Sequence, residues 1–115
     1  MNSTRNLLSE QPRLVDALPL LAREIEELLA KANEPKLAAQ VAKLRMIERC
    51  SCEDDFCASF YTQPKPNGSY GSGHRNVVLE PDNGMLILDV VTGRIMQVEV
   101  LYRDEIRRVV RAIFP

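Results

Sequence analysis

Two aliphatic runs separated by only two residues constrain this chain more than anything else in it. Met85–Val91 reads MLILDVV, Arg94–Leu101 reads RIMQVEVL, and Thr92-Gly93 is all that lies between them. Apolar, β-branched runs joined by a short glycine-containing link form a tight antiparallel hairpin. In the second arm Met96, Val98 and Val100 fall on one face, with Gln97 and Glu99 on the other. The sheet is therefore antiparallel at least here, and its apolar face needs cover from elsewhere in the chain.

Helical cover can be read at both ends. From about Pro12 to Ala32 the residues Leu14, Leu18, Leu21, Ile25, Leu28 and Ala32 recur at spacings of four and three, which is one helical stripe. Glu24, Glu26, Glu27 and Lys31 take the opposite side. Pro19 interrupts this pattern, because a proline inside a helix removes a hydrogen bond and clashes with the preceding turn. Either the helix kinks, or a short first turn ends near Leu18 and the main helix begins there, with Asp16 as a candidate cap. Asn33-Glu34-Pro35 reads as a stop and a new start, and Leu37, Val41 and Leu44 give a second, shorter amphipathic helix in a helical hairpin with the first. At the other end, Asp104 to Phe114 forms a helix that buries Ile106, Val109, Val110 and Ile113.

Between these helices the period changes to two. A strand is expected from Ile47, a turn at Glu53-Asp54-Asp55, a strand over Phe56–Thr62 and another over Asn76–Glu80. Gln63 to Arg75 carries two prolines and three glycines and reads as a long loop. The order is α-α-β-β-β-β-β-α. The fold class is α+β: an N-terminal helical hairpin, an antiparallel sheet of about five strands and a C-terminal helix, with the helices packed on one sheet face. The other face is partly polar, through Ser59, Asp89, Gln97 and Glu99, and is expected to be solvated or covered by a partner. Residues 1–115 are expected to form a single domain, with 1–10 frayed and 63–75 a flexible loop.

Leu88-Asp89-Val90, Gly93-Arg94-Ile95 and Val98-Glu99-Val100-Leu101, leading directly into a helix, resemble the tail of several small uncharacterised bacterial proteins, domains of unknown function. The resemblance covers residues 84–113, about a quarter of the chain. It implies a strand, a glycine turn, a strand and a helix, and brings no activity, cofactor or site residue.

Composition narrows the function classes. The 115 residues are 45% hydrophobic, and 15 Lys and Arg nearly cancel 16 Asp and Glu. That excludes a disordered polyelectrolyte and a histone-like basic protein. With a formal net charge of −1 the chain has too little positive charge for phosphate neutralisation, so no nucleic acid is expected. No apolar run approaches the ~18 residues of a membrane span. The start, MNSTRNLLSEQPR, lacks the apolar stretch of a secretory signal, so the expected compartment is the cytoplasm.

The sharpest chemical feature is Cys50-x-Cys52-x4-Cys57, followed by the sole histidine, His74. An odd number of cysteines without an export signal argues against a disulfide framework. Zinc takes thiolates and imidazole tetrahedrally, so Cys50, Cys52, Cys57 and His74 are the candidate metal ligands, although their spacing departs from the usual Cys-x2–4-Cys pairs. The bland alternative is that these thiols pack as small apolar side chains. A Cys–His catalytic pair would need His74 within hydrogen-bond reach of a thiol. Gly68 to Arg75 is rich in glycine but leads into a strand, not a helix, and carries no Gly-Lys-Ser/Thr, which argues against a phosphate loop. Asp89 and Glu99 interrupt apolar strands and are expected on a solvated face; sharing a face, they would repel unless paired to Arg94 or Arg103.

Two surfaces remain for a protein partner: Tyr70, His74 and Arg75 on the loop, and Arg103, Arg107 and Arg111 at four-residue intervals along the last helix. The Leu14–Leu28 stripe holds heptad spacing over about two and a half heptads, short for a coiled coil, so a homodimer through it is the alternative to packing on the chain's own sheet. The expectation is a non-enzymatic, cofactor-free interaction module of bacterial type, immunity- or antitoxin-like, that binds another protein. The alternative is a small zinc-stabilised protein using Cys50, Cys52, Cys57 and His74. A small enzyme of unknown reaction comes third.

Overall fold

The structure is a computed structural model and describes residues 11–115; the expected fraying of 1–10 lies outside the described residues. Helix α1 (Leu14–Ala17) is followed by α2 (Pro19–Lys31), α3 (Pro35–Ala38), a 3₁₀ turn (Val41–Lys43), β1 (Glu48–Arg49), β2 (Phe60–Tyr61), β3 (His74–Leu79), β4 (Met85–Val91), β5 (Arg94–Leu101) and α4 (Asp104–Ile113). The strands form one antiparallel sheet in the order β1-β2-β5-β4-β3. None of the described helices is long and apolar enough to cross a membrane.

Pro19 resolves the first helix into two. Leu18 leaves helical geometry (φ −138°, ψ 67°) and α2 starts with Pro19 in its first turn, where the missing N–H costs nothing. Asp16 does not cap α2; it pairs with Arg13 at 3.0 Å. Pro35 opens α3 as expected, but the helix stops at Ala38 instead of running to Leu44. The chain tightens at Gln40, whose side-chain amide donates to the Gly93 carbonyl at 2.6 Å and accepts from the Ile95 N–H at 3.1 Å. A side chain thus clasps the β4–β5 turn, and the 3₁₀ segment still buries Val41 and Leu44. Two rungs close this unit: Leu14 N–H to Leu44 O at 2.9 Å and Met46 N–H to Pro12 O at 2.8 Å.

The hairpin forms where the sequence placed it, with one irregularity. Leu86, Leu88 and Val90 face Val100, Val98 and Ile95, but Asp89 pairs with Gln97 while Val90 pairs with Ile95, so Met96 is an extra residue in β5. This bulge moves Ile95 into the core and leaves Met96 half-buried, against the simple alternation expected for β5. Strand β2 is shorter than Phe56–Thr62. The pairing with β5 extends from Phe56 to Thr62, but the Val100 N–H donates to the Ser59 hydroxyl at 2.9 Å, and a side chain interrupts the ladder. Strand β3 begins two residues early, at His74.

One sheet face and the helices bury a single apolar cluster in which Phe60, Leu14, Ile25, Leu29, Leu88 and Val98 are inaccessible to solvent; Ile106 and Val110 join it from α4. The Leu14–Leu21–Ile25 stripe packs within this cluster. Cross-strand partners share a face. The opposite face therefore carries Tyr61, Gln97, Asp89, Asn76 and His74 in register.

Gly84 ends the β3–β4 turn at φ +68°, and a Cβ there would collide with the Leu101 carbonyl and meet the Arg103 side chain at 2.8 and 2.9 Å. Gly68 also has positive φ (+86°) but faces open space. Gly84→Ala is expected to lower unfolding free energy by about 3 kcal/mol, and Gly68→Ala by only about 1 kcal/mol from backbone strain alone. Urea unfolding of the two variants measures the difference, and equal losses would show that the close approach at Gly84 is unimportant.

Candidate functional site

The segment between β1 and β2 brings the three cysteines together. The Cys50 N–H donates to Ser59 O at 2.9 Å, which extends the β1–β2 ladder by one residue. The chain then leaves the sheet, and Cys57 re-enters it with its N–H on Asp54 O (3.4 Å) opposite Leu101. The Cys52 N–H points at Cys50 Sγ at 3.5 Å. As a result all three Sγ atoms lie within 4.8 Å of one another, with Cys57 buried and Cys50 and Cys52 half-buried at the rim.

The thiols are electrostatically distinct. Burial pushes Cys57 up, but hydrogen bonds from Ser59 and from the other two cysteines outweigh it, and the thiol ends below its ordinary value. Burial, with hydrogen bonds to Cys57 and Cys50, pushes Cys52 up to about 12. The trio therefore holds its first negative charge at Cys57, with a neighbouring thiol donating to it. Three convergent sulfurs, one with a lowered pKa, are a set that could hold a thiophilic ion.

His74 is not part of this set. It lies on β3, at the opposite sheet edge from β1, four strand spacings or roughly 19 Å across. Its Nε2 is 2.7 Å from Asp89 Oδ1, and the Asn76 amide donates to the same oxygen at 2.8 Å. The expected Cys3His ligand set and the Cys–His pair are corrected accordingly: the loop reaches the polar sheet face, but at its far side.

There His74 belongs to a second polar group. Asp89 is only 4% exposed, which overturns the solvated face expected for it. Neither Arg94 nor Arg103 pairs with it; His74 and Asn76 do. Asp89 Oδ2 accepts no hydrogen bond from an ordinary donor, yet it faces Glu99. A hydrogen bond to Asp89, then burial, then the Asp89 charge raise Glu99 to about 7. A carboxyl raised to about 7 is still half protonated at neutral pH, and in that form Glu99 can donate to Asp89. Tyr70 reaches across from the 63–73 loop, donating its hydroxyl to Gln97 Oε1 at 3.1 Å with its ring 4.9 Å from that of His74. Burial and then the Asp89 charge push Tyr70 up to about 12, so it stays protonated and remains a donor.

The remaining expected contact residues scatter. Arg75 is engaged with Glu34 in a two-pronged pair at 3.0 Å, which holds the Glu34 carboxyl below its usual value. Arg103 is clamped by Glu24 (2.9 and 3.1 Å), Glu105 (2.9 Å) and the Asn83 carbonyl (3.2 Å), and its side chain is 12% exposed. It is a structural strut of the fold. Arg107 and Arg111 are half-buried on α4. Of the six expected contact residues, Tyr70 and His74 bring their rings together, while Arg75 and Arg103 are taken up by carboxylates elsewhere in the fold. That Asp89 and Glu99 could share a face is legible in the sequence; the burial of Asp89 and its partners His74 and Asn76 are not.

Compared with known proteins, the chain matches no family model, no curated sequence and no solved structure.

The folded pKa of Glu99 lies above its ordinary 4.5. Its contribution to stability is thus complete below pH 4.5 and is lost as pH rises through about 7. Glu99→Gln keeps a donor to Asp89 at every pH. Thermal unfolding of this variant at pH 8 is expected to show a gain of about 1 kcal/mol, allowing for screening at a half-exposed site. The gain should fade by about pH 5. A difference independent of pH would mean that no proton is shared.

Proposed function

We propose that the chain is a small zinc-stabilised protein without enzymatic activity, in which Cys50, Cys52 and Cys57 hold the ion. The convergence of the three sulfurs within 4.8 Å carries this reading and places it ahead of a cofactor-free module. In a tetrahedral site with Zn–S bonds near 2.3 Å, neighbouring sulfurs sit roughly 3.8 Å apart, so closing the trio onto an ion needs shifts of an ångström or less. The rim thiols Cys50 and Cys52 give an entry path, and the lowered pKa of Cys57 eases its ionisation toward an ion. His74 being across the sheet, the fourth position is left to water or to a ligand from another molecule.

Bound there, zinc would supply folding free energy by clipping the 51–56 segment to both β1 and the β2–β5 seam. The sole imidazole is engaged with Asp89 across the sheet, which supports a structural role over one that needs a histidine beside the ion. Binding releases protons from the thiols, so affinity falls as pH is lowered.

Protein purified without chelator is expected to hold about one zinc per chain, and chelator should lower its Tm by about 10 °C. In Cys50→Ser, zinc content should fall and the chelator should no longer shift Tm. Elemental analysis and thermal scans read both. Less than about 0.2 zinc per chain with a chelator-insensitive Tm would reduce the thiols to packing.

A further inference from the structure

The loop that carries the cysteines also builds one wall of a cleft at the β5–α4 junction. It measures about 520 Å³ and is lined by Asp55, Phe56, Asn83, Tyr102, Arg103, Asp104 and Glu105. The Tyr102 N–H donates to Phe56 O at 2.8 Å, which seats the β5–α4 junction on the loop. The Tyr102 ring stacks on Phe56, with centroids 5.1 Å apart and planes 21° from parallel, yet the residue is 61% exposed. A two-ring aromatic platform therefore faces the solvent. Of the lining charges, Arg103 is neutralised by Glu24 and Glu105, whereas Asp55 and Asp104 are exposed and have no ion-pair partner among the described residues. The exposed Arg108, one turn along α4, acts on Glu105 and leaves the cleft negative on balance.

We infer that this cleft binds an arginine-bearing segment of another protein, the guanidinium lying on the Tyr102 ring and bridging to Asp55 or Asp104. Charge complementarity selects a cation. The pairing of a flat aromatic face with carboxylates at its edge selects arginine over lysine, because a guanidinium is planar, stacks, and donates two parallel hydrogen bonds to one carboxylate. The inference goes beyond the metal reading, since the cleft and its lining require no ion.

The test is a titration of the ¹⁵N-labelled full chain by NMR, in chelator and again in zinc. The probe is acetyl-Gly-Arg-Gly-Arg-Gly-amide, with the Lys and Glu counterparts as controls. Saturable shifts confined to residues 55–56, 83 and 102–105 are expected, weaker with the Lys peptide, absent with the Glu peptide, and reduced by added salt. Tyr102→Asn removes the ring and suits the left-handed backbone there (φ +62°), so it keeps the fold while weakening binding about tenfold. The exposed Asp104→Asn weakens it independently should the first variant lose its dispersed spectrum. Shifts spread over the whole surface, equal binding by the Glu peptide, or unchanged affinity in both variants would overturn the inference. So would saturation of the site by a second copy, seen as concentration-dependent shifts of the same residues without peptide. Failure of the zinc measurement with success here would remove the metal and leave the cleft.

Discussion

The pairing of β4 with β5 is the contact from which the other parts of the structure take their positions. Its inner side, Leu86, Leu88 and Val90 against Val100, Val98 and Ile95, is wholly buried and gives the helices an apolar floor. Its outer side carries Asp89 beside Gln97, with Glu99 diagonal to them. Because side chains alternate along a strand, the apolar face cannot be made without sending these three outward. The Met96 bulge adjusts this arrangement: a single extra residue lets Ile95 turn inward while Gln97 stays opposite Asp89. The turn is then clasped by Gln40 from the helical side, so helical layer and sheet are registered against each other by directed bonds as well as by apolar contact.

Legibility in the sequence follows the range of the interaction. The β4–β5 hairpin, α2 and α4 were readable because each is determined by its own period, and Pro19 and Pro35 announced helix starts through a constraint internal to the residue. The helix expected over residues 35–44 failed where a long-range bond, Gln40 to the hairpin, competes with local propensity. The β5 face was misread by one residue at Met96, since a bulge leaves no trace in simple alternation. The sulfur cluster was visible as three cysteines within eight residues. Its fourth member was not: only the strand order shows that His74 lies across the sheet. Arg103 looked like one step of a surface stripe, and its clamp on Glu24 spans 79 residues of sequence.

The two polar groups on the outer face show opposite ways of burying charge. Asp89 is hydrogen-bonded at Oδ1 by His74 and Asn76, and the Glu99 carboxyl beside it is pushed up to about 7. Two carboxyls thereby share one face without the repulsion that ionising both would bring. The cysteines solve a similar problem by a gradient: one thiol is favoured as the thiolate, another is strongly disfavoured, and the second donates to the first.

Ser59 links that gradient to the sheet. It is 4% exposed, and its hydroxyl accepts the Val100 N–H at 2.9 Å. The one proton it can donate has two claimants: the Val100 carbonyl at 3.4 Å and the Cys57 sulfur. A carbonyl at that distance is a poor acceptor, whereas a thiolate gains a charge-assisted bond. The hydroxyl that points at the Val100 carbonyl is thus also a group that helps hold the Cys57 thiol below its ordinary value. The same hydroxyl that breaks the regular β2–β5 ladder also lowers the Cys57 pKa, so one side chain shapes both the strand and the thiol. A β2 with an apolar residue in place of Ser59 would leave the Val100 N–H without its acceptor and Cys57 without its donor, two buried losses from a single side chain.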